Sequence, residues 1–145
     1  ISYENGRIYV ATHKIYTTSR MVAYCYDKEK DQLVAEDSFF IPSRVQGVVW
    51  DEQGHVIFST SYGRSSSSYL YIYDSMEDLR HLFQNPILTV ELPPGSEELV
   101  LSDDELYLLF ETSCYKYYEG TDGKGTCEYP IDQIVILDLT SVFFD

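Results

Sequence analysis

The chain has 145 residues, 44% of them apolar and 15% aromatic, which is enough for one packed domain. Its 24 acids outnumber 10 bases and give a net charge of −14. Such a surface repels phosphate backbones, so nucleic acid is not expected as a partner. No apolar run approaches the roughly 20 residues of a membrane helix, so no membrane span is expected either.

Taken in order, the predicted elements are short, strand-like runs. Gly6-Arg7-Ile8-Tyr9-Val10-Ala11-Thr12 comes first, followed by the apolar run Met21 to Asp27. Arg44 to Trp50 reads as a strand ended by the turn Asp51-Glu52-Gln53-Gly54. The opening phrase then returns as Gly54-His55-Val56-Ile57-Phe58-Ser59-Thr60, and His55 to Ser61 reads as the second strand. Tyr69 to Tyr73 and Leu88 to Leu92 complete a set of four strands. Between them, Ser75-Met76-Glu77-Asp78 reads as the start of a short helix, with Ser75 as N-cap and Asp78 at the capping-box position. Met76, Leu79, Leu82 and Phe83 would share one face of it, Pro86 would end it, and it should pack down on the edge of its own sheet. Ser96 to Leu101 follows. The phrase then returns a third time, as the run from Asp104 to Thr112. Ile134 to Leu139 and Val142 to Phe144 close the pattern.

Thr12, Thr60 and Thr112 fall 48 and 52 residues apart. A repeat of about 50 residues built from strands means stacked units, and this one reads as β-propeller blades. The expected fold is therefore all-β: a partial propeller over residues 1–145, with four-stranded antiparallel blades near 1–42, 43–93 and 94–145. The first blade should lack most of its inner strand. Three blades do not close a ring, since propellers use about 4 to 8. Half of a six-bladed ring is expected, the remaining blades coming from missing sequence or a second chain. The chain opens in mid-pattern at Ile1-Ser2-Tyr3, which suggests a fragment or a processed product. The terminal blade faces should be unusually apolar.

Arg44-Val45-Gln46-Gly47-Val48, the run Ser59 to Arg64, and Leu92-Pro93-Pro94-Gly95-Ser96-Glu97-Glu98-Leu99 together resemble the C-terminal half of an uncharacterised bacterial six-bladed β-propeller family. The resemblance covers most of the chain and implies the fold, not an activity. A weaker similarity to gluconolactonase-like propellers implies a divalent-metal ligand at Glu97, with Glu98 standing where that family has Gly.

Strand order places the loops entering each inner strand at the same end as the loops between strands two and three. Arginine and tyrosine gather in these loops, in an otherwise acidic chain. Arg44, Gln46, Tyr62, Arg64 and Glu97 are expected to line one depression near the mouth of the channel. Arginine offers forked donors to carboxylates, and tyrosine offers rigid contact area with a polar tip. A small anionic or carbohydrate-like ligand, or a protein partner, would suit such a surface. Gln46 and Glu97 occupy equivalent places on successive inner strands. Glu97 could hold a divalent metal such as calcium, with Asp122 and Asp132 as loose candidates for further ligands, or could be a solvated channel carboxylate.

Cys114 and Cys127 bracket the polar insertion Tyr115 to Glu128 and are expected to form a disulfide, two separate thiols being the other reading. Cys25 is expected to stay free and buried in its strand. A disulfide would imply an oxidising setting, extracellular, cell-surface or periplasmic. The functional expectation is an extracytoplasmic binding or interaction scaffold working through these loops. The competing expectation is a metal-assisted hydrolase or lactonase with Glu97 at the channel.

Overall fold

The computed structural model describes residues 1–82 and 84–143, the side chains of residues 142 and 143 excepted. It is all-β, built among the described residues from three antiparallel sheets, none closed on itself. The first sheet runs in chain order through β1 (Ser2–Glu4), β2 (Arg7–Ala11), β3 (Ser19–Asp27) and β4 (Gln32–Ile41). The middle sheet comprises β5 (Val45–Trp50), β6 (Val56–Thr60), β7 (Ser68–Tyr73) and β8 (Leu88–Leu92). The last comprises β9 (Ser96–Ser102), β10 (Glu105–Phe110) and β11 (Val135–Asp138). Each is an up-and-down meander, so tight turns such as Asp51 to Gly54 suffice to connect neighbours.

Two apolar layers hold the three sheets together. Tyr9, Met21, Phe39 and Ile41 of the first sheet pack against Val48, Phe58 and Tyr73 of the middle one. Ile57, Leu70 and Ile72 leave the middle sheet on its other face and meet Leu99, Leu106 and Leu108. All of β6 is buried as a result. This is why its sequence is continuously apolar instead of alternating: successive side chains point to opposite faces, and both faces are covered. Hydroxyls that enter the second layer find partners there. Ser59 Oγ and Ser96 Oγ lie 2.8 Å apart, and Ser96 N–H donates to Ser68 Oγ at 3.1 Å.

The structure departs from expectation in four places. The first sheet's inner strand is cut to three residues, as expected, but 32–41 forms the longest strand among the described residues where no strand was assigned. The last sheet has three strands among the described residues. Leu139–Phe143 forms a short helix, α2, where a strand from Val142 to Phe144 was expected, and Phe144 lies outside the described residues. Asp138 starts it, its carboxylate accepting from both the N–H and the hydroxyl of Thr140.

The expected helix after Ser75 shrinks to one 3₁₀ turn, Asp78–Arg80. Asp78 still reaches back to accept from Ser75 N–H at 3.3 Å. So few residues cannot offset helix nucleation. Tertiary contacts hold the turn instead: Leu79 is buried between the first two sheets, and Arg80 pairs with Asp37 of β4 at 2.6 Å. Leu82 is left exposed, and Phe83 lies outside the described residues.

The cysteines require the fourth correction. Cys114 and Cys127 are free thiols, the first exposed and the second buried. Cys114 caps a single helical turn, α1 (Tyr115–Tyr118), and Cys127 N–H donates to the Tyr117 carbonyl at 2.9 Å. The insertion is closed by that backbone bond and by Arg64, not by sulfur. Cys25 is free as expected but only half-buried, its thiol hydrogen-bonded to Glu36 and raised in pKa mainly by that bond.

Candidate functional site

The approaches to β5 and β9 are built alike. Pro42-Ser43-Arg44 leads into β5 and Pro93-Pro94-Gly95 into β9. Both end on a left-handed residue, Arg44 at φ 63° and Gly95 at φ 82°. Each turn aims its last carbonyl at the residue just past the second strand: Ser61 N–H donates to Arg44 O and Glu111 N–H to Gly95 O, both at 3.0 Å. An arginine in this conformation costs energy that glycine avoids. Its contacts offset the cost. Arg44 N–H donates to Lys14 O at 2.7 Å, its Nε donates to Ile15 O at 3.1 Å, and its guanidinium lies 4.9 Å from the centre of the Tyr62 ring.

Gln46 and Glu97, the second residues of β5 and β9, meet. Gln46 Nε2 donates to Glu97 Oε1 at 3.3 Å. The strands approach closely here because Gly47 has no side chain; a Cβ on it would lie 3.2 Å from Leu99 N and would strike the Glu98 carboxylate. The chain of polar contacts continues inward. The Glu97 carboxyl neighbours that of Glu111, which in turn neighbours the Tyr117 hydroxyl. Lys116 Nζ sits 4.4 Å from the Tyr117 ring centre. Burial first, and the neighbouring Glu111 second, push Glu97 up to about 7.

This shift fixes the sign of a pH effect. The folded state holds the Glu97 proton more tightly than the unfolded chain does. The stabilisation is full below the ordinary glutamate range and is lost as pH rises through about 7. Glu97→Gln should therefore raise the melting temperature at pH 8 and leave it nearly unchanged at pH 5. Thermal unfolding at the two pH values checks this, and an equal loss at both would show that Glu97 is held as a carboxylate.

Arg64 is buried, with 8% of its surface exposed. It donates to the Asp122 carboxylate and to the Gly125 carbonyl, and its guanidinium lies 4.5 Å from the centre of the Tyr117 ring. It thus pins the insertion of the last sheet onto the β6–β7 loop of the middle one. The ion pair raises Arg64 and lowers Asp122. Arg64→Ala should cost about 1.5–3 kcal/mol, the range for hydrogen bonds to charged groups. It should also open 113–134 to limited proteolysis. Because Asp122 is depressed, the stability from this pair is present above the ordinary aspartate range and lost as pH falls below it.

A cavity of about 450 Å³ lies between these elements, lined by Gln46, Tyr62, Arg64, Glu111, Lys116 and Tyr117 among others. Of the five residues expected at one depression, Gln46, Tyr62 and Arg64 line it, and Glu97 joins through its bond to Gln46. Arg44 lies beyond Tyr62 in a second cavity of about 290 Å³, which shares Ser61 and Tyr62 with the first. Glu111, Lys116 and Tyr117 also line the first cavity; strand order assigns all three to this end of the sheets, though not to the depression itself. The signal for Glu111 was its place just past the second strand, matching Ser61.

The residues do not fit the metal expected at Glu97. Among the described residues no three His, Cys, Asp or Glu side chains stand together as a ligand set, and Asp122 is engaged by Arg64. Comparison with protein-family models, with curated proteins and with solved structures finds no match for this chain.

Proposed function

We propose that the chain is part of a six-bladed β-propeller serving as a binding scaffold, with the 450 Å³ cavity as its ligand site. Three observations support the propeller reading. The sheets are consecutive meanders, each packed on the next through an apolar layer. The first strands β1, β5 and β9 line a common groove of about 500 Å³, as inner strands around a channel would. The third is the resemblance to six-bladed propellers. The remaining blades would come from further sequence or from a second chain.

The single observation that carries the binding reading is the lining of that cavity. Lys116 and Lys124 line it with Arg64, Tyr62 and Tyr117. A small anionic, carbohydrate-like ligand suits this mixture, lysine pairing its acid and tyrosine packing its ring. Arg64 already serves Asp122 and Gly125, so its part is to hold the wall. Titration calorimetry with glucuronate as the anionic probe and glucose as the neutral one tests the idea. Lys116→Ala should weaken glucuronate binding by about 1–3 kcal/mol and leave glucose unaffected. Equal binding of the two sugars, or none of either, would count against the site.

The competing reading is a metal-assisted hydrolase or lactonase centred on Glu97. A carboxyl near neutrality beside a second carboxyl suits acid–base work. The metal half of that reading lacks ligands among the described residues. The free thiols also remove the cysteine argument for an oxidising compartment, so the proposal carries no location.

A further inference from the structure

We propose that the outward faces of the first and last sheets are two halves of one interface, and that a second copy of this chain covers both, closing a ring of six sheets. This rests on the propeller reading and is independent of the ligand.

The repeat itself identifies what each face is. Tyr9, Ile57 and Tyr107 occupy equivalent places on β2, β6 and β10, one residue after Ile8, Val56 and Leu106. The strand register extends the equivalence to the third strands. Tyr9 pairs with Ala23, Ile57 with Ile72, and Tyr107 with Ile136. Ile8 pairs with Tyr24, Val56 with Tyr73, and Leu106 with Leu137. Each sheet thus has a forward row and a rear row.

Both internal interfaces join a forward row to a rear row. Tyr9, Met21 and Ala23 of the first sheet meet Val56, Phe58 and Tyr73 of the middle one. Ile57, Leu70 and Ile72 of the middle sheet meet Leu106 and Leu108 of the last. One forward row and one rear row are left over. The forward row of the last sheet is exposed: Leu109 at 51% and Ile136 at 52%, with Val100 beside them at 57%. Its rear residues Leu106 and Leu108 are at 0%. The rear row of the first sheet, Ile8, Val10, Val22 and Tyr24, is only half-buried while its forward residue Met21 is at 0%.

The leftover rows are therefore the two kinds that pack together twice inside the molecule. A patch of this composition on a free surface marks an interaction site. Joining like rows would put forward on forward, a contact neither internal interface uses. The contact that continues the pattern is heterologous, the last sheet of one copy against the first sheet of another. Such a contact made twice around a two-fold axis closes a ring of two copies.

The test is mass measurement by size-exclusion chromatography with light scattering, across a concentration series. A particle of twice 16.8 kDa is expected. Leu109→Asp on the last sheet and Val22→Asp on the first should each raise the dimer dissociation constant at least tenfold. Circular dichroism checks that each variant folds, and Leu109→Ser and Val22→Thr serve if one does not. Mixing the two variants in equal amounts should restore part of the dimer, because both changes then fall in one of the two contacts and leave the other intact. A monomeric wild-type chain overturns the second-copy proposal, as do open assemblies of higher mass. A response to only one of the two substitutions, or no recovery on mixing, overturns it too. The ring reading is checked separately by an experimental structure: neighbouring sheets rotated far from one sixth of a turn sink the ring whatever the mass.

Discussion

Phe58→Ala should lower the unfolding free energy by about 3–5 kcal/mol, the usual cost of removing a fully buried aromatic ring. Phe58 is fully buried in the middle of β6 and meets Tyr73 edge-on at 5.9 Å. It belongs to the layer that joins the first sheet to the middle one, alongside Met21 and Val56. The middle sheet is restrained from moving in to fill the space, because the other face of β6 is held by the second layer through Ile57. The cavity therefore stays, and its cost adds to the lost transfer energy. A domain holds only about 5–15 kcal/mol in total, so this single change removes a large share. Urea unfolding followed by circular dichroism gives the value, with Tyr16→Ala, at 84% exposure, as the comparison near zero. A loss below about 1 kcal/mol for Phe58→Ala, as at an ordinary surface site, would mean that the two sheets are not packed as described.

Gly95→Ala should cost about 2–5 kcal/mol, from left-handed backbone strain of about 1–2 and overpacking of about 1–3. Gly95 has φ 82°, and an added Cβ would strike the Thr112 methyl, itself buried. Thr112 is not free to move away, since its hydroxyl accepts from Ile131 N–H at 3.1 Å. The carbonyl of Gly95 also holds Glu111, so the strain reaches the carboxyl pair directly. Arg44 supplies the contrast, because it already carries a side chain in the equivalent place. Arg44→Gly relieves the φ strain but gives up the Ile15 bond and the Tyr62 ring contact. These terms oppose each other, and the net change should lie within about 1 kcal/mol. Denaturant midpoints of the two variants measured side by side decide it; a Gly95→Ala protein as stable as the wild type would show that the turn is relaxed in solution.

Much of the fold was legible in the chain. Leu88–Leu92 was read with its observed bounds, and the strands at Arg44, His55 and Tyr69 shift by a residue at their ends. Gln46 and Glu97 were read as equivalent, and they touch. These features are local or repeated. Period-two patterning, turn residues and a 50-residue recurrence are written in neighbouring positions, and stacking simply multiplies them. The long strand Gln32–Ile41 was missed because polar residues interrupt its apolar run: Glu36 at a register shift, and Asp37 on the packed face, where Arg80 pairs with it.

What the tertiary structure alone decided lies in long-range contacts. The cysteine pairing failed because bracketing a loop in sequence does not place two sulfurs within bonding reach. Arg64 became the clamp of the insertion because Asp122 and Gly125, some sixty residues later, fold back against it. The helix after Ser75 was cut to a turn because Leu79 and Arg80 are claimed by the neighbouring sheet. Glu97 acquired its high pKa from partial burial and from Glu111, the residue just past the adjacent strand. Hydrophobic periodicity records which face of a strand is dry. It does not record which polar groups that dryness will force together, since desolvation and pair distances exist only once the sheets have packed.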